Sequence, residues 1–198
     1  MKVVGLTGGI GSGKSSVLEV FSAKGIPCYK ADDRAKKLMQ EDEELIFKIK
    51  KWFGDNIYDA HRLNRKRLAK LVFDDKNKLK KLNAIVHPAV QKDFQLFLSK
   101  QNTPYVIKEA AILFESGGAD QCDTIILVTA PEEIRINRVM KRENTDADAV
   151  KSRMKHQWSD EKKIPHADFV IDNIDWDQTL KKIEEVHKSL LRSESTLN

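Results

Sequence analysis

The chain has 198 residues, of which 40% are hydrophobic and 33% are charged, so it can build one α/β domain with a sizeable core. It has no apolar run of about 18 residues, the length of a membrane-spanning helix, and its two cysteines suit neither a disulfide framework nor a metal site. The first residues turn polar and glycine-rich too early for a signal peptide, so we expect a cytoplasmic protein without a membrane partner.

The formal net charge of +5 is concentrated in the middle of the chain, where residues 34–108 carry 18 Lys and Arg against 9 Asp and Glu. A basic surface can attract nucleic acid or a small anionic substrate, or it can consist only of solvated helix faces. Aromatic residues are not interleaved with these basic residues as in a base-stacking surface, so we expect no nucleic-acid partner.

The first part of the chain alternates strand and helix. A buried strand at residues 2–7 leads through a glycine-rich turn into a helix from about Lys14 to Lys24. Gly25 can end that helix, because glycine adopts a positive φ without strain. A second short strand follows at residues 27–31.

After a helix-rich stretch to about residue 102, strand character returns in three short apolar runs, at residues 105–107, 124–128 and 169–171. Such runs are typical of buried strands in a parallel sheet. Strands alternating with helices predict an α/β fold of three layers, α/β/α, with five parallel strands. A terminal helix follows, and its predicted apolar face consists of Trp176, Leu180, Ile183, Val186 and Leu190.

Pro131 opens a helix, with Thr129 or Ala130 expected as its cap, and this helix carries three arginines on one face, Arg135, Arg138 and Arg142. The charged residues 143–165 that follow contain few large apolar side chains, as in a mobile flap. Arginines on such a helix can reach a triphosphate when a flap closes, or they can form a solvated face. We expect Arg142 to contact phosphate and Arg135 to be solvated.

Residues 8–15, GGIGSGKS, fit the phosphate-binding pattern G-x-x-x-x-G-K-[ST] at every fixed position, between a strand and a helix. The glycines let the backbone approach phosphates, and N–H groups at the start of the helix point at phosphate oxygens. Lys14 is expected on the β- and γ-phosphates, and the Ser15 hydroxyl is expected to ligate Mg²⁺. The predicted ATP-binding residues here are Gly9, Gly11, Ser12, Gly13, Lys14, Ser15 and Ser16.

The D-x-x-G segment and the guanine-reading N-K-x-D motif of switch GTPases are missing. No glycine has an aspartate three residues before it, and residues 77–80, NKLK, lack the final aspartate of N-K-x-D. The length excludes a large motor ATPase. A compact kinase for a small molecule remains, with a nucleotide-binding regulator of nucleic acid as the non-enzyme alternative.

A kinase of this kind needs an acid near the acceptor hydroxyl. Asp32 follows the second strand, whose end points towards the same cleft as the phosphate loop in this topology. We expect Asp32 to act as general base or to orient the hydroxyl, the alternative being a cap or turn residue. Asp33 suits the N-terminal cap of the next helix.

Several segments resemble, in order, those of the dephospho-CoA kinase family. They are LTGGIGSGKS at 6–15, ADDRAK at 31–36, LNR at 63–65, LAKLVF at 68–73, LNAIVHP at 82–88, ILFE at 112–115, Arg138 and Arg142 with Gln157, and ADFVIDN at 167–173. Lys30, Asn64 and Ala111 depart from the family pattern, which has aspartate, aspartate and proline there. These departures bear on substrate fit more than on activity.

The resemblance implies transfer of the γ-phosphoryl group of ATP to the ribose 3′-hydroxyl of dephospho-CoA, the last step of coenzyme A synthesis. It implies Asp32 as the catalytic aspartate. We expect Lys14 and Arg142 to act with it by neutralising charge on the transferred group, with ATP and Mg²⁺ as cofactors. We expect a monomer or weak homo-oligomer. Another P-loop small-molecule kinase, for a nucleoside monophosphate or a sugar acid, is the alternative.

The resemblance also implies three parts. They are a nucleotide core at about 1–33, 103–139 and 166–198, a helical acceptor-binding insertion at about 34–102, and a lid at about 140–165. Arg65 and His87 are candidates for holding the acceptor's pyrophosphate, although His87 could simply be a helix-terminal histidine beside a proline. Glu115 is expected near the acceptor, and Asn173 near the adenine of ATP.

Overall fold

The computed structural model describes residues 1–60, 62–73 and 75–192. The chain forms two compact units, Met1–Lys30 with the part from Gln101 onward, and Ala31–Lys100. None of the helices in the described ranges is long and apolar enough to cross a membrane. Residues 193–198 of the predicted core lie outside the described ranges.

Strands and helices alternate in the first unit, whereas helices dominate the second. The strands are β1 (Lys2–Thr7), β2 (Cys28–Lys30), β3 (Tyr58–Asp59), β4 (Arg62–Leu63), β5 (Tyr105–Glu109), β6 (Thr124–Thr129) and β7 (Phe169–Asp172). The α-helices are α1 (Lys14–Ala23), α2 (Ala31–Glu41), α3 (Glu43–Phe53), α4 (Arg65–Phe73), α5 (Lys76–Leu98), α6 (Glu132–Glu143), α7 (Ala147–Met154), α8 (Asp160–Lys163) and α9 (Trp176–Arg192). Short 3₁₀ helices occur at Asp55–Ile57, Gly118–Gln121 and Ile164–His166.

In the first unit, as far as it is described, five parallel strands form a sheet in the order β2-β5-β1-β6-β7. Val4 pairs with Ile107 on one side of β1, and Leu6 pairs with Ile126 on the other. All these strands end at one edge of the sheet, where ligands bind in open parallel sheets. The predicted α/β class with a five-stranded parallel sheet is confirmed.

The core of the first unit lies between the sheet, α1 and α9. Phe21 on α1, Ile107 on β5 and Ile183 on α9 are fully buried in it. The predicted apolar face of α9 is partly wrong, because Trp176 and Leu180 are 42% and 37% exposed. The first turn of α9 lies at the carboxyl edge of the sheet, beside a cleft that leaves it uncovered.

Two predicted helix boundaries can be compared with the structure. Gly25 has a φ of +81° and follows the end of α1, where the Ile26 N–H bonds to the Phe21 carbonyl, as predicted. The N-cap of α6 is Pro131 itself, so the predicted caps Thr129 and Ala130 are wrong.

The second unit has its own core. Its buried side chains are Leu45, Ile49, Ile57, Tyr58, Leu63, Leu68, Val72, Leu82 and Val86. Helix α5 continues through Pro88, so His87 lies inside a helix and not at a terminus as considered. The prediction of Asp33 as an N-cap is wrong, because α2 already begins at Ala31. The carboxylate of Asp33 accepts a hydrogen bond from Lys36 Nζ at 2.8 Å.

Candidate active site

The loop from β1 to α1 is shaped by glycine conformations and by what packs around it. Gly11 and Gly13 have φ values of +81° and +89°. A Cβ on Gly13 would overlap the side-chain amide of Asn173. In the described chain no side chain caps α1, and the Ser16 N–H donates to the Gly13 carbonyl, so the N–H groups of Lys14 and Ser15 remain for an anion. The loop therefore has the form of a phosphate cradle.

Lys14, the first residue of α1, is paired with Glu109 at the end of β5. Their side chains are 14% and 9% exposed, so each neutralises a charge that would be costly to bury alone. Glu109 was not among the predicted residues, although an acid close after the predicted apolar strand at 105–107 was a usable signal.

Glu109 and Ser15 supply oxygen donors of the kind that Mg²⁺ prefers. Among the described residues, no three His, Cys, Asp or Glu side chains gather as a metal cage. Mg²⁺ bound with nucleotides needs no such cage, because substrate phosphates and water complete its coordination. A carboxylate at the end of β5 and a hydroxyl at the start of α1 therefore fit this ion.

The carbonyl of Ser12 in the phosphate loop is held by two side chains. Asn173, 5% exposed and directly after β7, donates from Nδ2 to this oxygen at 2.8 Å, and its Oδ1 accepts from Thr179 at 3.3 Å. Arg138 donates from Nη1 to the Ser12 carbonyl at 3.4 Å and from Nη2 to the Asn173 carbonyl at 2.9 Å. Asn173, predicted near adenine, thus has its amide turned towards the loop.

A cleft of about 280 Å³ opens beside the loop, and it is lined by Gly11, Gly13, Ser16, Arg138, Arg142, Asn173, Ile174 and Trp176. Arg142 is 62% exposed and donates from Nη2 to Glu143 at 2.5 Å. Hydrogen bonds from Arg142 and Arg153 lower the pKa of Glu143, which keeps that carboxylate charged. The structure thus brings Arg142 and Asn173 to the same cleft as the loop glycines.

The prediction for Arg135 is wrong. This side chain is buried, donating from Nε to the Ile10 carbonyl at 3.1 Å and from Nη1 to Asp160 Oδ2 at 3.0 Å. Helical spacing correctly predicts that Arg135 and Arg138 share one face of α6. Spacing alone does not show which other residues contact that face.

Glu115 lies in the turn that follows β5. Its Oε1 accepts from the Trp158 N–H at 2.7 Å and lies 3.2 Å from Nζ of Lys163, a fully buried lysine. The Phe114 ring stacks on that of Trp158, with centroids 6.0 Å apart. Residues 157–163 are therefore packed on this turn, more closely than a weakly packed flap would be.

Comparison with known proteins agrees with this geometry. A sequence model described as dephospho-CoA kinase matches residues 2–178. The chain belongs to the dephospho-CoA kinase family. A dephospho-CoA kinase from Bacteroides fragilis is 36% identical over 171 residues, which cover 86% of this chain and 83% of that protein.

Two solved structures extend the comparison to the fold. A protein from Thermus thermophilus has a TM-score of 0.85 at 34% identity, covering 97% of both chains. The dephospho-CoA kinase from Campylobacter jejuni has a TM-score of 0.70 at 26% identity, covering 97% of this chain and 98% of that one. The predicted dephospho-CoA kinase resemblance is thus confirmed.

The remaining predicted residues belong to the second unit of this dephospho-CoA kinase family member. Asp32 lies in the first turn of α2, which begins directly after β2. Arg65 is the exposed first residue of α4, and His87 is exposed within α5. The roles assigned to these three residues stay predictions.

Proposed function

We propose that the protein transfers the γ-phosphoryl group of ATP to the ribose 3′-hydroxyl of dephospho-CoA, giving coenzyme A and ADP. The observation that carries the proposal is the phosphate cradle at residues 8–15, in a chain that matches the dephospho-CoA kinase family over residues 2–178. The phosphate cradle supports ATP as the phosphoryl donor, and the family supports dephospho-CoA as the acceptor.

The proposed chemistry assigns one task to each charged group. Lys14 and Arg142 neutralise charge that develops on the transferred phosphoryl group. Asp32 takes or orients the proton of the 3′-hydroxyl. The resemblance of residues 31–36 to the family segment that carries its catalytic aspartate supports this role for Asp32.

Mg²⁺ is the proposed cofactor, with Ser15 and Glu109 as the protein side chains that would hold it. When bound, it neutralises part of the phosphate charge. Because Lys14 pairs with Glu109, both groups are kept at the edge of the sheet where the phosphates are expected.

The proposed ATP site extends into the cleft beside Gly13. There the exposed ring of Trp176 and the side chain of Ile174 offer apolar contact to the adenine, beside Asn173 and Arg142. The remaining ATP contacts are those of Gly9, Gly11, Ser12, Lys14 and Ser16, as predicted from the loop.

We propose the following roles for residues at the acceptor site. Arg65 and His87 hold the acceptor's pyrophosphate, which suits the basic stretch 34–102, and residues 140–165 act as a lid. Glu115, which we propose lies near the acceptor, also fixes the turn after β5 through Trp158. A cytoplasmic monomer or weak homo-oligomer completes the proposal.

The experiment that tests it is a coupled ADP-release assay with Mg²⁺ and ATP across dephospho-CoA, nucleoside monophosphates and gluconate. We expect acceptor-dependent ADP release with dephospho-CoA far above that with the other acceptors. Preferred turnover of a nucleoside monophosphate or gluconate would support the alternative kinase. ATP binding without any acceptor-stimulated ADP release, together with salt-dependent nucleic-acid affinity, would support a regulator.

A further inference from the structure

One residue of the phosphate loop, Ile10, is held at three points. Its side chain packs against a small cluster of Ile136, Val139 and Val150. Its N–H donates to Gln157 Oε1 at 2.9 Å, and its carbonyl accepts from Arg135 Nε at 3.1 Å. Both polar groups of this residue are thus bonded to side chains far away in sequence.

The two side chains that bind Ile10 are themselves anchored. Gln157 donates from Nε2 to the Ala111 carbonyl at 2.9 Å. Arg135 donates from Nη1 to Asp160 at 3.0 Å, and these two side chains are only 9% and 14% exposed. A Cβ on Gly9 would overlap the Arg135 guanidinium, so the guanidinium packs directly against the loop.

The geometry points to Arg135, Asp160 and Gln157, here called the Ile10 clamp, as positioning residues that hold residues 9–11 in their phosphate-binding curve before nucleotide arrives. The inference rests on the proposed function only in that the loop binds a nucleotide phosphate. A glycine-rich loop left free would lose conformational entropy on binding, and ordering it beforehand raises affinity. The clamp thus contributes to nucleotide affinity without touching the nucleotide.

The alternative role for Arg135 is direct contact with phosphate, and the variant Asp160→Asn separates the two. Removing this charge frees the Arg135 guanidinium from its carboxylate partner. If Arg135 bound phosphate directly, nucleotide affinity would therefore rise. If Arg135 acts through the loop, affinity falls because its anchor is weakened.

The test is calorimetric titration of the full chain with MgADP, together with urea unfolding of each variant. We expect roughly tenfold weaker binding for Arg135→Lys and Gln157→Leu, about the effect of one lost charge-assisted or buried hydrogen bond, and a smaller loss for Asp160→Asn. Arg135→Lys keeps the charge but cannot donate to both acceptors at once. Gln157→Leu leaves no unpaired charge, so it tests the clamp even if the arginine variant folds poorly.

Arg153→Gln is the matched control, since Arg153 is exposed in the same part of the chain and pairs with Glu143. Its MgADP affinity should stay within about twofold of the parent. Unchanged affinity in the clamp variants with a lower free energy of unfolding would reduce the clamp to a fold-stabilising contact. Tighter MgADP binding by Asp160→Asn would indicate that Arg135 contacts phosphate directly. Each of these two results would overturn the inference. MgADP binding does not depend on the acceptor, so failure of dephospho-CoA as substrate leaves this result standing.

Discussion

Lys14 is in contact with an acid, Glu109. The pairing with Glu109 directs the ammonium group to the edge of the sheet, and a bound phosphate would have to replace or share that partner. Lysines of this kind lower the barrier to phosphoryl transfer by neutralising charge that develops in the transition state.

The variant Lys14→Ala tests this role. We expect turnover with dephospho-CoA to fall by roughly 10²-fold or more, because one preorganised charge is lost at the transferred group. The measurement is the steady-state rate of ADP release at saturating substrates, with circular dichroism to show that the variant is folded. Parent-like turnover would remove Lys14 from the mechanism.

Asp32→Asn tests the general base. The substitution keeps the size of the side chain in the first turn of α2 but removes its ability to take a proton. We expect ATP binding to be preserved and most transfer to be lost, measured by titration with ATP analogues and by single-turnover transfer. The neighbouring variant Asp33→Asn, which weakens the pairing with Lys36, should keep its transfer rate. An equal loss of transfer rate in both variants would mean that the negative charge at the start of α2 matters, and not proton transfer by Asp32.

At the scale of elements, two glycines with similar backbone angles provide a matched comparison. Gly13 at the start of α1 has a φ of +89°, and Gly25 after its end has a φ of +81°. A Cβ would meet the Asn173 amide at Gly13, but nothing within 4 Å at Gly25. Backbone strain is thus common to both positions, and steric overlap is specific to the loop.

We therefore expect Gly25→Ala to lower the free energy of unfolding by about 1–2 kcal/mol, the usual cost of the left-handed conformation, with unchanged MgADP affinity. Gly13→Ala should add a loss of MgADP affinity of roughly tenfold or more, since Asn173 and the loop both have to shift. Urea unfolding and calorimetric titration measure the two effects separately. Equal affinities for the two variants would mean that the loop tolerates the overlap.

Local patterns predicted the phosphate loop and the strands, because glycine spacing and short apolar runs act over a few residues. The same patterns could not show that Arg135 is buried, since its partners Ile10 and Asp160 lie 125 and 25 residues away. The exposure of Trp176 was also out of reach, because it depends on a cleft formed by separate elements. Packing between distant segments therefore determines which side chains are buried or exposed, and sequence periodicity alone does not.

Across the first unit, a hydrogen bond connects β5 to the terminal helix. The Tyr105 hydroxyl lies 2.6 Å from Nδ1 of His187, to which it donates when the neutral imidazole carries its proton on Nε2. Burial, and then the positive charge of Lys24, lower the pKa of His187 below its ordinary value of 6.5. Burial also raises the pKa of Tyr105, so the hydroxyl keeps its proton.

This pair predicts a pH dependence of stability. The unfolded chain takes up a proton on His187 more readily than the folded chain, so the contribution is fully present above about pH 6.5 and is lost as pH falls through the lower folded pKa. The parent should therefore lose more thermal stability than His187→Gln between about pH 8 and pH 5, measured by differential scanning calorimetry. Parallel curves for the two proteins would show that His187 does not titrate with folding.

For the molecule as a whole, the family and the parallel sheet followed from ordered segments of sequence, yet the strand order did not. The apolar pattern of residues 2–7 predicts a strand regardless of which strands pair with it. That β5 and β6 flank β1 is decided by which apolar faces fit together around α1 and α9, and no short pattern records it.

The strand order has a consequence for how the chain is made. Val3 pairs with Val106, and Leu6 pairs with Ile126, so the first strand synthesised has to wait for partners about a hundred residues later. Closing such long loops makes parallel sheets slow to fold. During synthesis Ala31–Lys100, with its own core, emerges before either partner of β1. The apolar strand that carries the phosphate loop therefore has to be kept from aggregation, on the ribosome or by chaperones, until the sheet can close around it.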